Sequence, residues 1–157
     1  MKTKYHYLQT ELFSAHEVEM HYKRPLYEQM LCITKSSDAN VLIRNAIADT
    51  QLDHKEHFYV FFLTSSSRVL GLVHLSIGSI MGTIVSVQEI FQIALLLNAV
   101  GIILIHNHPS GNLTPSEEDK KITNKIKEAC VLFNMKLLDH LIITSENYYS
   151  FSDNGRL

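Results

Sequence analysis

The stretch that decides the fold is GIILIHNHPSGNLTPSEED, residues 101–119, in which an apolar run leads into a pair of histidines and then into a helix-capping sequence. The five residues 101–105 are all apolar apart from the opening glycine, which is typical of a central strand covered on both faces. Because side chains alternate along a strand, His106 and His108 point to the same side if the extended backbone continues through them. The stretch therefore predicts a buried strand that presents two imidazoles at its carboxyl end.

A helix is predicted directly after the histidines, over residues 115–133. Thr114 is expected to be its N-cap, Pro115 its first residue and Glu117 the acidic partner of a capping box. Asp119 lies on the apolar stripe of this helix, which is formed by Ile122, Ile126, Ala129 and Phe133. A buried carboxylate without a partner is costly, and a bound cation is one partner that removes this cost.

Two histidines and one carboxylate form a metal-ligand set. His106, His108 and Asp119 would leave one position open on a tetrahedral zinc ion, as catalytic zinc sites do. Zinc lowers the pKa of a water in that position toward ~7. The same donor types also bind ferrous iron in oxygenases, so the donor set alone leaves the metal open between zinc and iron. Strand alternation directs Asn107 away from the metal.

Hydrolysis by such a site also needs a general base and benefits from a donor to the developing oxyanion. Glu56 and Glu89 are the candidate bases. Glu89 is expected to cap a helix with Ser86, whereas Glu56 opens a buried strand, where an idle charge is unfavourable, so we favour Glu56. Ser116 lies one turn before Asp119, and its hydroxyl can either donate to an oxyanion or satisfy the backbone of its own helix.

The other histidines are expected to lie outside the site. His140, after Asp139 in a predicted strand, can either support a metal ligand or simply pack. The remaining six have no ligand-type spacing to another donor and are interpreted as structural or exposed: His6, His16, His21, His54, His57 and His74.

The rest of the chain predicts a three-layer α/β fold, in which a mixed sheet is flanked by helices. The order is β-α-β-β-β-α-β-α-β-β. The other predicted elements are weak strands over 5–13 and 18–22, a helix over 38–50, strands over 56–64 and 68–76, an irregular strand over 77–85, a helix after a cap at 86–89, and strands over 136–144 and 148–151.

Composition predicts one globular domain. The chain has 157 residues, of which 46% are hydrophobic and 19% charged. We expect residues 1–35 to be a β-rich extension of the domain formed by residues 36–157. The net charge of −2 gives no general attraction to nucleic acid, but it does not exclude a local basic patch on the surface. Two isolated cysteines, no secretory signal and no membrane-length apolar stretch predict a cytoplasmic protein without a membrane partner, and the oligomeric state stays open.

The motif resembles that of a known family. His106-x-His108-Pro109 followed by Ser116-x-x-Asp119 looks like the signature of JAMM (MPN+) metallopeptidases. The longer run HNHPSG at 106–111, with Pro115-Ser116, resembles the RadC branch in particular. The segments EHF at 56–58 and DHLI at 139–142 are also similar to RadC, so the resemblance covers residues 36–153.

This resemblance implies a fold, a metal and a reaction. It implies a cytidine-deaminase-like α/β fold and zinc held by His106, His108 and Asp119. It also implies that a glutamate matching Glu56 activates water to cleave a peptide or isopeptide bond in a protein or peptide substrate. Asn107 stands where the deubiquitinating members usually have serine or threonine, so this substrate class is not implied.

Two functions compete at this point. One is a zinc-dependent hydrolase, and the other is a non-catalytic metal-binding module associated with DNA repair, because RadC proteins carry that label. The N-terminal segment shows no helix-hairpin-helix region of the kind that often precedes the JAMM domain in RadC proteins. Two other metal-enzyme patterns are missing from the sequence: the HxHxDH of metallo-β-lactamase type and the HxE with PCxxC of nucleoside deaminases.

Overall fold

The computed structural model describes residues 18–78 and 85–157. Its longest helix has 16 residues, and no helix within those two ranges has the length and apolar character needed to cross a bilayer. The elements are a 3₁₀ turn at Tyr27–Gln29, the helices α1 (Ser36–Ala46), α2 (Asp49–Leu52), α3 (Val87–Leu96) and α4 (Glu117–Leu132), and the strands β1 (His57–Leu63), β2 (Val69–Ile77), β3 (Gly101–Asn107), β4 (Lys136–Ile143) and β5 (Tyr148–Ser150).

The strands form one five-stranded sheet in the order β2-β1-β3-β4-β5. β3 and β4 are parallel, and the other neighbouring pairs are antiparallel. Every residue of β1 and of β3 is buried, as their continuous apolar composition predicts. The predicted mixed sheet is confirmed, and the strand that carries the histidines lies at its centre.

Helices cover both faces of the sheet because successive side chains of β1 and β3 point to opposite sides. Phe58, Val60, Phe62, Ile102 and Leu104 pack on one face with residues of α3 and α4, such as Ile90 and Ile126. Tyr59, Phe61, Leu63, Ile103 and Ile105 pack on the other face with residues of α1 and α2, such as Ile43 and Leu52. The three-layer α/β prediction is confirmed.

Three of the predicted strands differ from the structure or lie wholly or partly outside the described residues. The strand over 18–22 is wrong: these residues are irregular, and the apolar side chains of Val18 and Met20 are 86% and 75% exposed, so they are not packed against the sheet. The strand over 5–13 lies outside the described residues. The same holds for residues 79–84 of the irregular strand, whose first residue, Ile77, ends β2.

The predicted helix over 38–50 is wrong in its bounds, because the chain forms two helices there. α1 begins at Ser36, where the Asp38 carboxylate accepts hydrogen bonds from the backbone N–H groups of Thr34 and Lys35, at 2.9 and 3.2 Å. It ends at Ala46 because Ile47 has extended backbone angles, and α2 follows. The break allows the chain to turn into β1 just after Glu56.

The start and the buried stripe of α4 also differ from the sequence interpretation. The N-cap is Ser116, and Glu117 is the first helical residue, so Thr114 and Pro115 precede the helix. The buried residues are Asp119, Thr123, Ile126 and Cys130, whereas Phe133 is 43% exposed. The later start does not move Asp119 from the buried face.

Candidate metal centre

The extended backbone of β3 continues through Asn107, as the paired histidines require. His106 is almost completely buried and His108 partly buried, and their Nε2 atoms are 3.0 Å apart. Both rings lie on the face of the sheet that α4 covers, since His106 is flanked by the ring of Phe58 in the same layer. The two imidazoles therefore converge on one point.

α4 brings a carboxylate to this point. Asp119 Oδ1 is 3.0 Å from His106 Nε2, and Asp119 Oδ2 is 3.5 Å from His108 Nε2. The ligand atoms of all three residues lie within 4.8 Å of one another, and theirs is the one such group of three or more found within residues 18–78 and 85–157. The structure thus brings together the three residues that the sequence predicts as ligands.

The position of Asp119 follows from how α4 begins. The Ser116 hydroxyl accepts a hydrogen bond from the Asp119 N–H at 3.1 Å. In return, Asp119 Oδ2 accepts from the Ser116 N–H and from the Ser116 hydroxyl, both at 2.7 Å. This is a capping box with Asp119 in the acidic position, so the assignment of Thr114 and Glu117 to these positions is wrong. The capping contacts hold Oδ2 and turn Oδ1 toward His106.

The electrostatics of the cluster suit a cation. Burial alone would raise the pKa of Asp119, but the electrostatic effect of the adjacent His106 and His108 rings outweighs burial, and the pKa falls well below its usual range. For His108 burial acts in the opposite direction and would lower the pKa. The adjacent Asp119 carboxylate and the Asn112 carbonyl outweigh burial, so the pKa of His108 is raised. The carboxylate is therefore ionised, and an anionic oxygen beside two imidazole nitrogens is a donor set that suits zinc.

The centre opens into a cavity of about 300 Å³. Glu56 lies in its wall together with His108 and Ser116, whereas Glu89 lies exposed in the first turn of α3, where its N–H donates to Ser86 at 3.2 Å. The remaining wall residues are His54, Lys55, Pro109, Ser110, Asn112 and Thr114. Of the two candidate bases, Glu56 is the one in this cavity wall. His54, which the sequence analysis left outside the site, lines it as well.

Asn107 points to the opposite face of the sheet, as strand alternation predicts. Its Oδ1 accepts a hydrogen bond from the His57 N–H at 2.7 Å. Its Nδ2 donates to the carbonyls of Leu52 and Lys55, at 2.7 and 2.8 Å. Asn107 is buried and holds the backbone on both sides of Glu56. A residue between the two candidate histidine ligands thus anchors the segment that carries the predicted base to β3.

Two further buried polar residues, His140 and Thr123, form a chain of hydrogen bonds that ends at His106 Nδ1. His140 Nε2 is 2.8 Å from His106 Nδ1, and His140 Nδ1 is 2.7 Å from the Thr123 hydroxyl. The sequence leaves the role of His140 open between supporting a ligand and packing, and it does not predict Thr123 as part of the site. The signal for Thr123 was present in the sequence, because it follows Asp119 by four residues and therefore shares its helix face.

The RadC-like JAB domain profile matches residues 33–156, most of the chain. The chain therefore belongs to the RadC family and carries its JAB/MPN-type domain. The sequence motif, the mixed sheet and the clustered ligands agree with this assignment. The predicted resemblance to the RadC branch is confirmed.

The chain is similar in sequence to UPF0758 proteins of several bacteria. The chain is 50% identical over 123 residues to a UPF0758 protein of Flavobacterium johnsoniae, covering 78% of this chain and 52% of that one. It is 32% identical over 148 residues to a UPF0758 protein of Chlorobium phaeovibrioides, covering 94% of this chain and 63% of that one. The chain therefore spans between half and two thirds of the length of these curated relatives, whose names describe no activity.

Proposed function

We propose that this chain is a zinc-dependent hydrolase of the JAMM class, which uses water to attack a peptide or isopeptide carbonyl. The observation that carries the proposal is the convergence of His106, His108 and Asp119 at a cavity whose wall also contains Glu56. A ligand set and a carboxylate base facing one cavity are what metal-assisted hydrolysis requires. Membership of the RadC family is consistent with this, because JAB-domain proteins include hydrolases.

The ligands would be the Nε2 atoms of the two histidines and Oδ1 of Asp119. Zinc bound there supplies Lewis acidity, which lowers the pKa of a ligated water to about 7. Glu56 would accept the proton of the attacking water and donate it to the leaving nitrogen. Its partial exposure in the cavity wall leaves the carboxylate accessible to both.

Ser116 has two roles in this proposal. Its hydroxyl donates to Asp119 Oδ2 at 2.7 Å and so orients a metal ligand. A hydroxyl has only one proton to donate. To donate to a substrate oxyanion, the Ser116 hydroxyl would therefore have to break its hydrogen bond to Asp119 Oδ2. Ser116 lines the cavity, which supports a contact between its hydroxyl and a substrate bound there.

The surface around the centre supports a polypeptide substrate. Beyond Thr114 and Pro115 lies a second groove of about 580 Å³, which shares Thr114 with the cavity at the metal centre. Lys120 and Arg156 contribute positive charge to this groove. A chain that crosses the centre has room to continue along the groove, so a substrate longer than the scissile bond fits this surface.

Two free cysteines fit a reducing compartment. Cys32 is exposed, Cys130 is buried, and neither is in a disulfide. We place the activity in the cytoplasm on this basis and on the composition of the chain.

The test compares Glu56→Gln with Glu89→Gln, a matched change at a glutamate outside the cavity wall. Wild type and both variants should hold stoichiometric zinc by elemental analysis. Hydrolysis of a pool of peptides and lysine-linked isopeptides should fall by about 10²- to 10⁴-fold in Glu56→Gln alone. Equal turnover in both variants would remove Glu56 from the mechanism.

These measurements, together with a DNA-binding assay of the wild type, separate the hydrolase from the DNA-associated module. If wild type holds zinc, cleaves nothing in the pool, and binds duplex DNA more tightly than a neutral control domain at physiological salt, the module is favoured. The net charge of −2 does not favour this outcome, because non-specific DNA affinity comes chiefly from positive charge.

A further inference from the structure

A continuous chain of buried polar contacts leads from α4 to the outer nitrogen of His106. The Thr123 hydroxyl is 2.5 Å from the Asp119 carbonyl oxygen and 2.7 Å from His140 Nδ1. His140 Nε2 is in turn 2.8 Å from His106 Nδ1. His140 is fully buried, so these contacts account for both of its ring nitrogens.

The direction of each hydrogen bond follows from what its groups can donate. A carbonyl oxygen only accepts, so the 2.5 Å contact requires the single proton of the Thr123 hydroxyl to point at Asp119. The hydroxyl must then accept from His140, which places the His140 proton on Nδ1. A neutral imidazole with its proton on Nδ1 has a lone pair on Nε2, so His140 accepts from the Nδ1–H of His106.

We propose that Thr123 and His140 are positioning residues that fix His106 in the tautomer with its proton on Nδ1, leaving the Nε2 lone pair for the metal. The proposal rests on the metal site of the proposed function. Metal-binding histidines commonly donate their other ring N–H to a fixed acceptor, which sets the tautomer and the ring orientation. Here the acceptor is a second imidazole whose own tautomer is set from α4.

The two ligand histidines reach the same state by different routes. His108 Nδ1 is 2.6 Å from the Asn112 carbonyl, which only accepts, so the neutral His108 ring also carries its proton on Nδ1 and keeps the Nε2 lone pair for a metal. That acceptor belongs to the loop that follows β3. His106 depends instead on side chains of α4 and β4.

Aromatic packing keeps the His140 ring in place. The Phe151 ring stacks on it at a centroid distance of 4.9 Å and an angle of 12°. Phe58 contacts both histidine rings, stacking on His106 at 5.9 Å and 8° and lying tilted against His140. A flip of the His140 ring about its Cβ–Cγ bond is therefore sterically restricted. Nδ1 and Nε2 are thus held on their separate partners.

The arrangement links two of the ligands through one helix. Asp119 supplies a carboxylate oxygen to the centre, and its backbone carbonyl ends the chain that orients His106. Correct docking of α4 therefore positions both Asp119 and His106. A displaced α4 would lose both contributions to metal binding.

The test uses Thr123→Val, which has nearly the same shape but cannot accept from His140, with Thr123→Ser as the matched control. Zinc affinity, measured by competition with a chelating indicator, should fall by about 10-fold or more in the valine variant and stay close to wild type in the serine variant. Long-range ¹H–¹⁵N NMR of the histidine rings should show His140 protonated on Nδ1 in the metal-free and the zinc-loaded wild type.

Each outcome separates this inference from the proposed function. A wild type that binds no zinc would end the metal-site proposal, while the His140 tautomer of the metal-free protein would still test the chain of contacts. Zinc binding that is equal in wild type and Thr123→Val, or a His140 protonated on Nε2, would overturn the role of Thr123 and His140 alone. Thermal unfolding of both variants shows whether a loss of affinity comes from loss of the fold.

Discussion

Two buried carboxylates, Asp119 in α4 and Asp139 in β4, are 8% and 4% exposed, yet their surroundings differ. Asp139 accepts from the N–H of His140 at 2.7 Å, from the Ser150 hydroxyl at 2.6 Å and from the Ser152 N–H at 3.0 Å. All three donors are neutral, and they engage both of its oxygens. The Asp119 carboxylate, in contrast, has donors from its own capping box on Oδ2 and presents Oδ1 to an imidazole.

The pKa values of the two groups move in opposite directions. Burial raises the pKa of Asp139 above its ordinary value, and hydrogen bonds from Ser150 and Ser152 offset this only in part. Burial also acts on Asp119, but the two histidines outweigh it and lower its pKa. Burial alone therefore does not identify a functional carboxylate. Their partners distinguish the two groups: neutral donors bound to both oxygens tie Asp139 to β5, whereas two imidazoles converge on Asp119, as expected of a metal ligand.

The largest effect expected from this difference is on zinc content. Asp119→Asn should lose stoichiometric zinc because a neutral amide replaces the anionic ligand, and His106→Ala and His108→Ala should lose it as well. Asp139→Asn is the matched control and should keep its zinc. Elemental analysis of the four purified variants measures this directly, and retention of zinc by Asp119→Asn would break the distinction between the two carboxylates.

The next effect concerns Asn107, the buried polar residue between the two candidate histidine ligands. Asn107→Ala leaves one backbone N–H and two carbonyls without their partner, which should lower the free energy of unfolding by about 3 kcal/mol. It should also reduce hydrolysis with zinc retained, because the segment around Glu56 loses its anchor. Denaturant unfolding, with the exposed Asn124→Ala as control, measures the first effect. A variant as stable as that control would show that the anchor is dispensable.

A smaller effect is a pH dependence at Asp139. Its folded-state pKa lies above its ordinary value of 3.8, so its ionisation disfavours the fold. The contribution is fully favourable below the unfolded-state pKa and is lost as the pH rises through the folded-state pKa. Asp139→Asn removes this dependence, and its amide can still accept the two N–H bonds and donate to Ser150. Relative to wild type, the variant should gain stability between acidic and neutral pH. A difference that is constant with pH would contradict the raised pKa.

The smallest effect tests whether α4 stays docked when the site is changed. Burial raises the pKa of the Cys130 thiol to about 11, whereas Cys32 is exposed. At mildly alkaline pH an alkylating agent should modify Cys32 and leave Cys130 unmodified, in wild type and in Asp119→Asn alike. Mass spectrometry after brief labelling gives the ratio. Rapid labelling of Cys130 in the variant alone would mean that its loss of zinc reflects displacement of α4.

Much of the site could be predicted from the sequence because its signals are local. His106 and His108 follow an apolar strand at a spacing of two, and Asp119 follows a capping sequence on the buried face of a helix. The bounds of α4 were less predictable, since both Thr114 and Ser116 are suitable caps. Three hydrogen bonds between Ser116 and Asp119 favour the second. The predicted strand over 18–22 shows the limit of alternation as a signal, because a strand also needs a neighbour to pair with.

By itself, then, the sequence determined the class of fold, the RadC-like motif and the three candidate ligands, because strand and helix periodicity decide which side chains share a face. Only the tertiary structure decided which distant residues meet that motif. It placed Glu56 in the cavity wall, tied its segment to Asn107, and set Thr123 and His140 behind His106. These contacts join residues from different elements of the sheet and helices. Their geometry depends on strand order and packing, which no local spacing encodes.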